Sequence, residues 1–134
     1  MPDTKTRTIT LTNRPPVKIR EQEWPELACA SYTDYDSQYE HQANRRWSGF
    51  VRLRVHSDGR AIVYARCWHA SAIRGERDYD QHAGVLLAKD STMESYIEAI
   101  RRVHATIRVV DVDHAQMWRL LADECIARLP AEEL

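Results

Sequence analysis

The chain has 134 residues and a mass of 15.6 kDa, with 43% hydrophobic and 29% charged residues, a composition that argues against wholesale disorder and suits one domain with a real core. Its longest clean apolar run, Ala83 to Ala88, is too short to span a bilayer, and the opening MPDTKTRTITLTNRPP lacks the apolar core of a signal peptide. A net charge of −1 removes the long-range pull toward polyanions that a basic protein exerts.

In chain order, Thr6 to Thr12 alternates Thr and Arg with Ile9 and Leu11, which predicts a half-buried strand ended by Pro15-Pro16. Trp24, Leu27, Ala28 and Ser31 follow the i, i+3, i+4, i+7 spacing of a helix, about Glu21 to Tyr32. Residues 33–44 are polar and read as a loop, or as an edge strand around Gln38 to Gln42.

Trp47 to His56 and Arg60 to His69 predict a hairpin around Ser57-Asp58-Gly59. A two-residue loop would set Val51, Leu53 and Val55 beside Tyr64 and Arg66. A three-residue loop, with Gly59 left-handed, sets them beside Ala61, Val63, Ala65 and Cys67 instead. Burial selects the second register, because slipping out of it exposes aliphatic side chains at ~1.5–3 kcal/mol each. The opposite face then pairs Phe50 with Arg66, Arg52 with Tyr64, and Arg54 with Ile62.

Residues 70–82 read as a polar connection, and Gly84 to Ala88 as a short strand. Ser91 and Glu94 form a capping box for a helix striped by Met93, Ile97, Ile100, Val103/His104 and Ile107. Arg108 to Val112 is a brief strand or an extended linker. Asp113 caps a last helix striped by Trp118, Leu121, Ala122, Cys125, Ile126 and Leu129, and Pro130 stops it. The predicted fold is α+β, a small antiparallel sheet built on a central β-hairpin, about 47–69, with two to three helices packed on one face. It forms a single domain over 1–134, a core of 6–90 followed by a C-terminal helical pair at 91–130. If every helix covers the aliphatic face, the arginine-aromatic face stays open; if the C-terminal helix wraps round, that face is closed.

The charge is unevenly spread. Residues 42–77 hold eight arginines against Asp58 and Glu76, while residues 21–40 hold six carboxylates and no Lys or Arg. This layout suits a partner of complementary charge, a homodimer joining basic 42–77 to acidic 21–40, or a chain that neutralises itself. Cys29, Cys67 and Cys125 are widely spaced and each lies on an apolar stripe, which predicts reduced thiols in a cytoplasmic protein.

Chemistry-bearing motifs are sparse. Residues 46–53 match the RNA-recognition signature at Arg46, Gly49, Phe50 and Val51 but fail at Trp47, Ser48 and Leu53. Aromatic rings interleaved with arginines are nevertheless how single strands are held. Asp78, Asp80 and His82 alternate, and Cys67 and His69 form a C-x-H pair, but neither has the second ligand pair of a zinc site. No nucleophile elbow, phosphate loop, dinucleotide fingerprint or HExxH is present, and the six histidines (41, 56, 69, 82, 104, 114) form no motif. The expectation is therefore a non-enzymatic binding protein without cofactor, metal or membrane partner. Its candidate binding residues are Arg45, Arg46, Trp47, Phe50, Arg52, Arg54, Tyr64, Arg66 and Trp68, with Trp47 and Trp68 as anchors and Trp24 and Trp118 as core. Another protein is the expected partner, with single-stranded nucleic acid the alternative.

The pattern ITLTNRPPVKI, EWP, DSQYEHQANRRW, VRLRVHSDGRAIVYA, GERD and GVLLA, spread over about residues 8–88, resembles a group of short proteobacterial proteins carried on plasmids, integrative elements and phages. The blocks RPPVKI, QANR and DGRAIVY are its most specific parts, and the helical tail from Ser91 onward is an addition to it. The resemblance implies a mobile-element accessory protein that works by binding, as a regulator or as an inhibitor of host defence such as an anti-CRISPR protein. It carries no catalytic residue over to this chain.

Overall fold

A computed structural model describes residues 5–35, 46–70, 79–109 and 112–131. The protein is α+β. Strands β3 (Glu26–Tyr35), β4 (Arg46–Val55), β5 (Ala61–Ala70) and β6 (Tyr79–Leu87) form an antiparallel sheet in the order β3-β4-β5-β6. Helices α1 (Met93–Thr106) and α2 (Val112–Ala127) cover one face of it, and a separate hairpin of β1 (Thr6–Leu11) and β2 (Arg14–Arg20) lies on the other.

The central hairpin has the register that burial selects. Val51 faces Ala65, Leu53 faces Val63 and Val55 faces Ala61, with Gly59 at φ 98° in the turn. Val51, Leu53, Val63 and Cys67 are fully enclosed beneath Ile100, Val103, Trp118, Leu121 and Cys125 of the two helices. The stripe read for the last helix packs in full; that of the first packs at Ile100, Val103 and Ile107, with Ala99 and Tyr96 beside them in place of Met93 and Ile97. The first helix starts one residue later than the capping box predicts, because the hydroxyl of Thr92, not Ser91, accepts from Ser95 N at 3.2 Å. Asp113 falls inside the first turn of α2 and not at its cap.

Three expectations are corrected. The reversal after β1 occurs at Thr12-Asn13, with Asn13 in the left-handed region at φ 58°. Pro15 and Pro16 lie within β2, and a two-stranded sheet tolerates their missing N–H groups because both strands are edges. The helix expected over Glu21–Tyr32 is a single 3-10 turn, Glu21–Glu23, followed by β3, so the described residues form two α-helices. A register shift between Glu26 and Ala28 puts Leu27 and Ala28 together on the helix side, and this bulge imitates the helical spacing. Pairing with β4 and burial of Ala28 and Ala30 override a segment poor in β-branched residues. Finally, β6 starts at Tyr79, so Asp80 and His82 belong to a strand and not to a connection. The possible edge strand at Gln38 to Gln42, and Asp78, lie outside the described residues.

Burial also sets thiol chemistry. Desolvation pushes Cys67 up to about 11, despite the Tyr32 hydroxyl at 3.7 Å, and Cys125 up to about 12. Cys29 is only half-buried. In the native protein at pH 8, an aromatic disulfide reagent is expected to titrate at most one thiol promptly, with all three released in denaturant.

Candidate functional site

The outer face of the sheet follows from the same register. Arg52 lies opposite Tyr64, Arg54 opposite Ile62, and Phe50 opposite Arg66. Neither alternative for this face is realised. Both helices sit on the aliphatic side, yet half of the arginine-aromatic face is closed by the N-terminal hairpin. Ile9, Leu11, Ile19 and Trp24 pack there on Ile62 and Tyr64, forming a second apolar core.

Arg54 and Tyr64 are consequently buried. Arg54 donates from Nε to the Tyr64 hydroxyl at 2.9 Å and from Nη1 to the Trp24 carbonyl at 3.1 Å, with Glu21 3.8 Å from its Nη2. Glu21 also accepts from Arg7 Nε at 2.7 Å. Arg52 sits at the rim, with Nε 2.7 Å from Glu26 Oε1 and its guanidinium over the Phe50 ring at 4.8 Å. The acidic segment and the basic hairpin thus neutralise each other within one chain through Arg54–Glu21 and Arg52–Glu26.

Beyond the hairpin the face continues with Phe50, Arg66 and Trp68, all partly exposed. The Arg66 guanidinium stacks on Trp68 at 4.3 Å and holds Asp80 by two bonds, Nε–Oδ1 at 2.9 Å and Nη2–Oδ2 at 3.1 Å. His82 Nε2 is 3.0 Å from the same Asp80 oxygen. Between β1 and the sheet runs a cleft of about 110 Å3 lined by Arg7, Phe50, Tyr64, Arg66 and His82.

The bond from Arg7 holds the Glu21 carboxyl below its ordinary value, and the bonds from Arg66 do the same to Asp80. A lowered folded-state value means that this stabilisation is complete above the unfolded-state value, about pH 4, and is lost as pH falls through the folded one. The melting temperature is expected to be flat from pH 7 to about 5 and to fall below about pH 4. Arg7→Gln should flatten part of that fall in a thermal-melt series across pH.

The predicted site residues therefore separate. Phe50, Arg52, Arg66 and Trp68 gather at the surface, whereas Arg54 and Tyr64 are structural. Trp47 is placed in the helix-side core, stacked between His69 at 4.9 Å and His114 at 4.7 Å. Its parity with Val51 and Leu53 already assigns it to that face, so an anchoring role is corrected by strand alternation alone. Trp24 and Trp118 are buried as expected. Arg46 opens β4 and is described only by its backbone, and Arg45 lies outside the described residues. The sequence reading missed Arg7 and the Asp80–His82 arm. Each shares the parity of residues that turn toward this face, Arg7 with Ile9 and Leu11, and Asp80 and His82 with Leu86.

Among the described residues no three metal-ligating side chains converge, and no described helix is long and apolar enough to cross a membrane. The chain matches no family model, and no curated protein or solved structure is significantly similar to it.

Proposed function

We propose that the protein is a non-enzymatic protein-interaction module, acting as an inhibitor or regulator of the kind mobile elements carry, anti-CRISPR proteins among them. One observation carries the choice of partner class. The outer-face arginines at 52, 54 and 66 each have a carboxylate beside them, while Phe50 and Trp68 still reach the surface. Binding to a polyanion draws its free energy from cations that release counterions, and cations already paired to Glu26, Glu21 and Asp80 contribute little. Aromatic residues around a paired arginine instead have the composition of a protein-binding hot spot.

Capture from a proteobacterial lysate by the tagged full chain, with and without nuclease, tests this. A stoichiometric protein retained after nuclease treatment is the expected result. Recovery of nucleic acid alone, lost steeply as salt rises, would establish the single-strand reading instead.

A further inference from the structure

Resting on the protein-binding reading, we infer that the cleft between β1 and the sheet receives a single carboxylate side chain of the partner, Asp or Glu, flanked by apolar residues. Two guanidinium groups line this cleft, and each is held from one side only. Arg7 uses Nε for Glu21, and Arg66 uses Nε and Nη2 for Asp80. Both Nη groups of Arg7 and Nη1 of Arg66 have no partner among the described residues. Two bonds to Asp80 fix the plane of the Arg66 fork, and one bond to Glu21 tethers Arg7, so part of the side-chain entropy is already lost before a ligand binds.

Charge decides the size of the ligand. The ion-paired side chains around the cleft, Arg7, Arg52, Arg54 and Arg66 against Glu21, Glu26 and Asp80, sum to one positive charge. One carboxylate matches that excess. A chain of phosphates would place further negative charges against Glu21, Glu26 and Asp80, which lie within the same patch. The volume, about 110 Å3, accommodates a single side-chain head. Phe50 at the cleft and Trp68 beside it supply the apolar surround for the neighbouring residues of such a ligand.

The test uses the full chain, isotope-labelled, with the arginine Nε–H signals of Arg7 and Arg66 and the Trp68 indole signal followed by NMR. Acetyl-Leu-Glu-Leu-amide is titrated against acetyl-Leu-Gln-Leu-amide, inorganic phosphate and a ten-residue oligothymidylate. Saturable shifts at both arginines with the glutamate peptide are expected. They should weaken tenfold or more in Arg7→Gln and in Arg66→Gln, and should be unchanged in Lys18→Gln, which removes the same charge from an exposed site on β2. Circular dichroism and melting of each variant confirm that its fold is intact. Equal shifts with the glutamine peptide, tighter binding of phosphate or oligothymidylate, or no arginine shift at all would overturn the assignment. In the capture experiment, retention of the same protein by wild type and by the R7Q/R66Q variant overturns the cleft and leaves the protein-binding reading standing. Capture of no protein by wild type overturns that reading, and the docking role with it.

Discussion

Gly84→Val is expected to lower stability by about 2–3 kcal/mol and to lift the N-terminal hairpin off the sheet. A Cβ at Gly84 would lie 2.5 Å from the Thr10 carbonyl oxygen and 3.1 Å from Leu11 Cδ2, so the strand crossing above it has to move. Two bonds are strained with it, Thr12 N to the Gly84 carbonyl at 2.9 Å and Gly84 N to the Thr12 hydroxyl at 3.1 Å. Hydrogen exchange should show β1 and β2 losing protection while β4 and β5 keep theirs, since the helix-side core does not touch this contact. Urea denaturation gives the magnitude. A Gly84→Val protein as stable as wild type would mean that the hairpin does not rest on the sheet, and the second core would go with it.

Arg54→Glu is the second large effect, a loss of about 3–5 kcal/mol. Arg54 is 8% exposed and serves as donor to the Tyr64 hydroxyl and the Trp24 carbonyl, so its removal takes a donor from each of two acceptors in a buried site, only the first of which keeps a second one, Arg52 Nη1 at 3.2 Å. A glutamate there also faces Glu21 across the same gap, replacing attraction by repulsion. Arg54→Met should cost less than half as much, because Glu21 keeps Arg7 and no like charge is introduced. Arg52→Glu should be milder still at about 1 kcal/mol, as Glu26, its ion-pair partner, is an exposed group that can turn into water. Denaturation curves for the three variants read this order directly. Loss of binding in Arg54→Glu would therefore report on folding, and the surface arginines, Arg7 and Arg66, are the ones to change when a contact is tested.

Much of the architecture was legible in the chain. The register of the central hairpin followed from counting apolar neighbours, because period-2 alternation admits only one arrangement that buries Val51, Leu53 and Val55 together. The helical stripes of α1 and α2 were equally direct, since their 3.6-residue spacing runs over three or more turns. Where the reading failed, the pattern was short or interrupted. At Glu26–Ala28 a bulge shifted alternation by one residue and produced helical spacing in a strand. At Tyr79–His82 polar side chains hid the strand, because this end of β6 faces solvent and carries no apolar alternation.

The candidate site divides along the same line. By itself the sequence determined that Arg52, Arg54 and Tyr64 share one face with Phe50, Arg66 and Trp68, since strand alternation is local and obligatory. The same parity places Trp47 with Val51 and Leu53, against the anchoring role expected of it. Only the tertiary structure decided which part of that face is open. Ile9, Leu11 and Ile19 form an apolar stripe that could have sought any partner surface. Burial of that stripe against Ile62 and Tyr64, allowed by the missing side chain of Gly84, closes the face over Arg54 and leaves Arg66 and Trp68 outside. Hydrophobic burial is non-directional, so a stripe announces that it will be covered but not by what. The pairing of Arg7 with Glu21, and of Arg66 with Asp80 some fourteen positions apart in each case, belongs to the same class of outcome. It is set by which strands meet, and it is what turns a basic hairpin into a patch of paired charges.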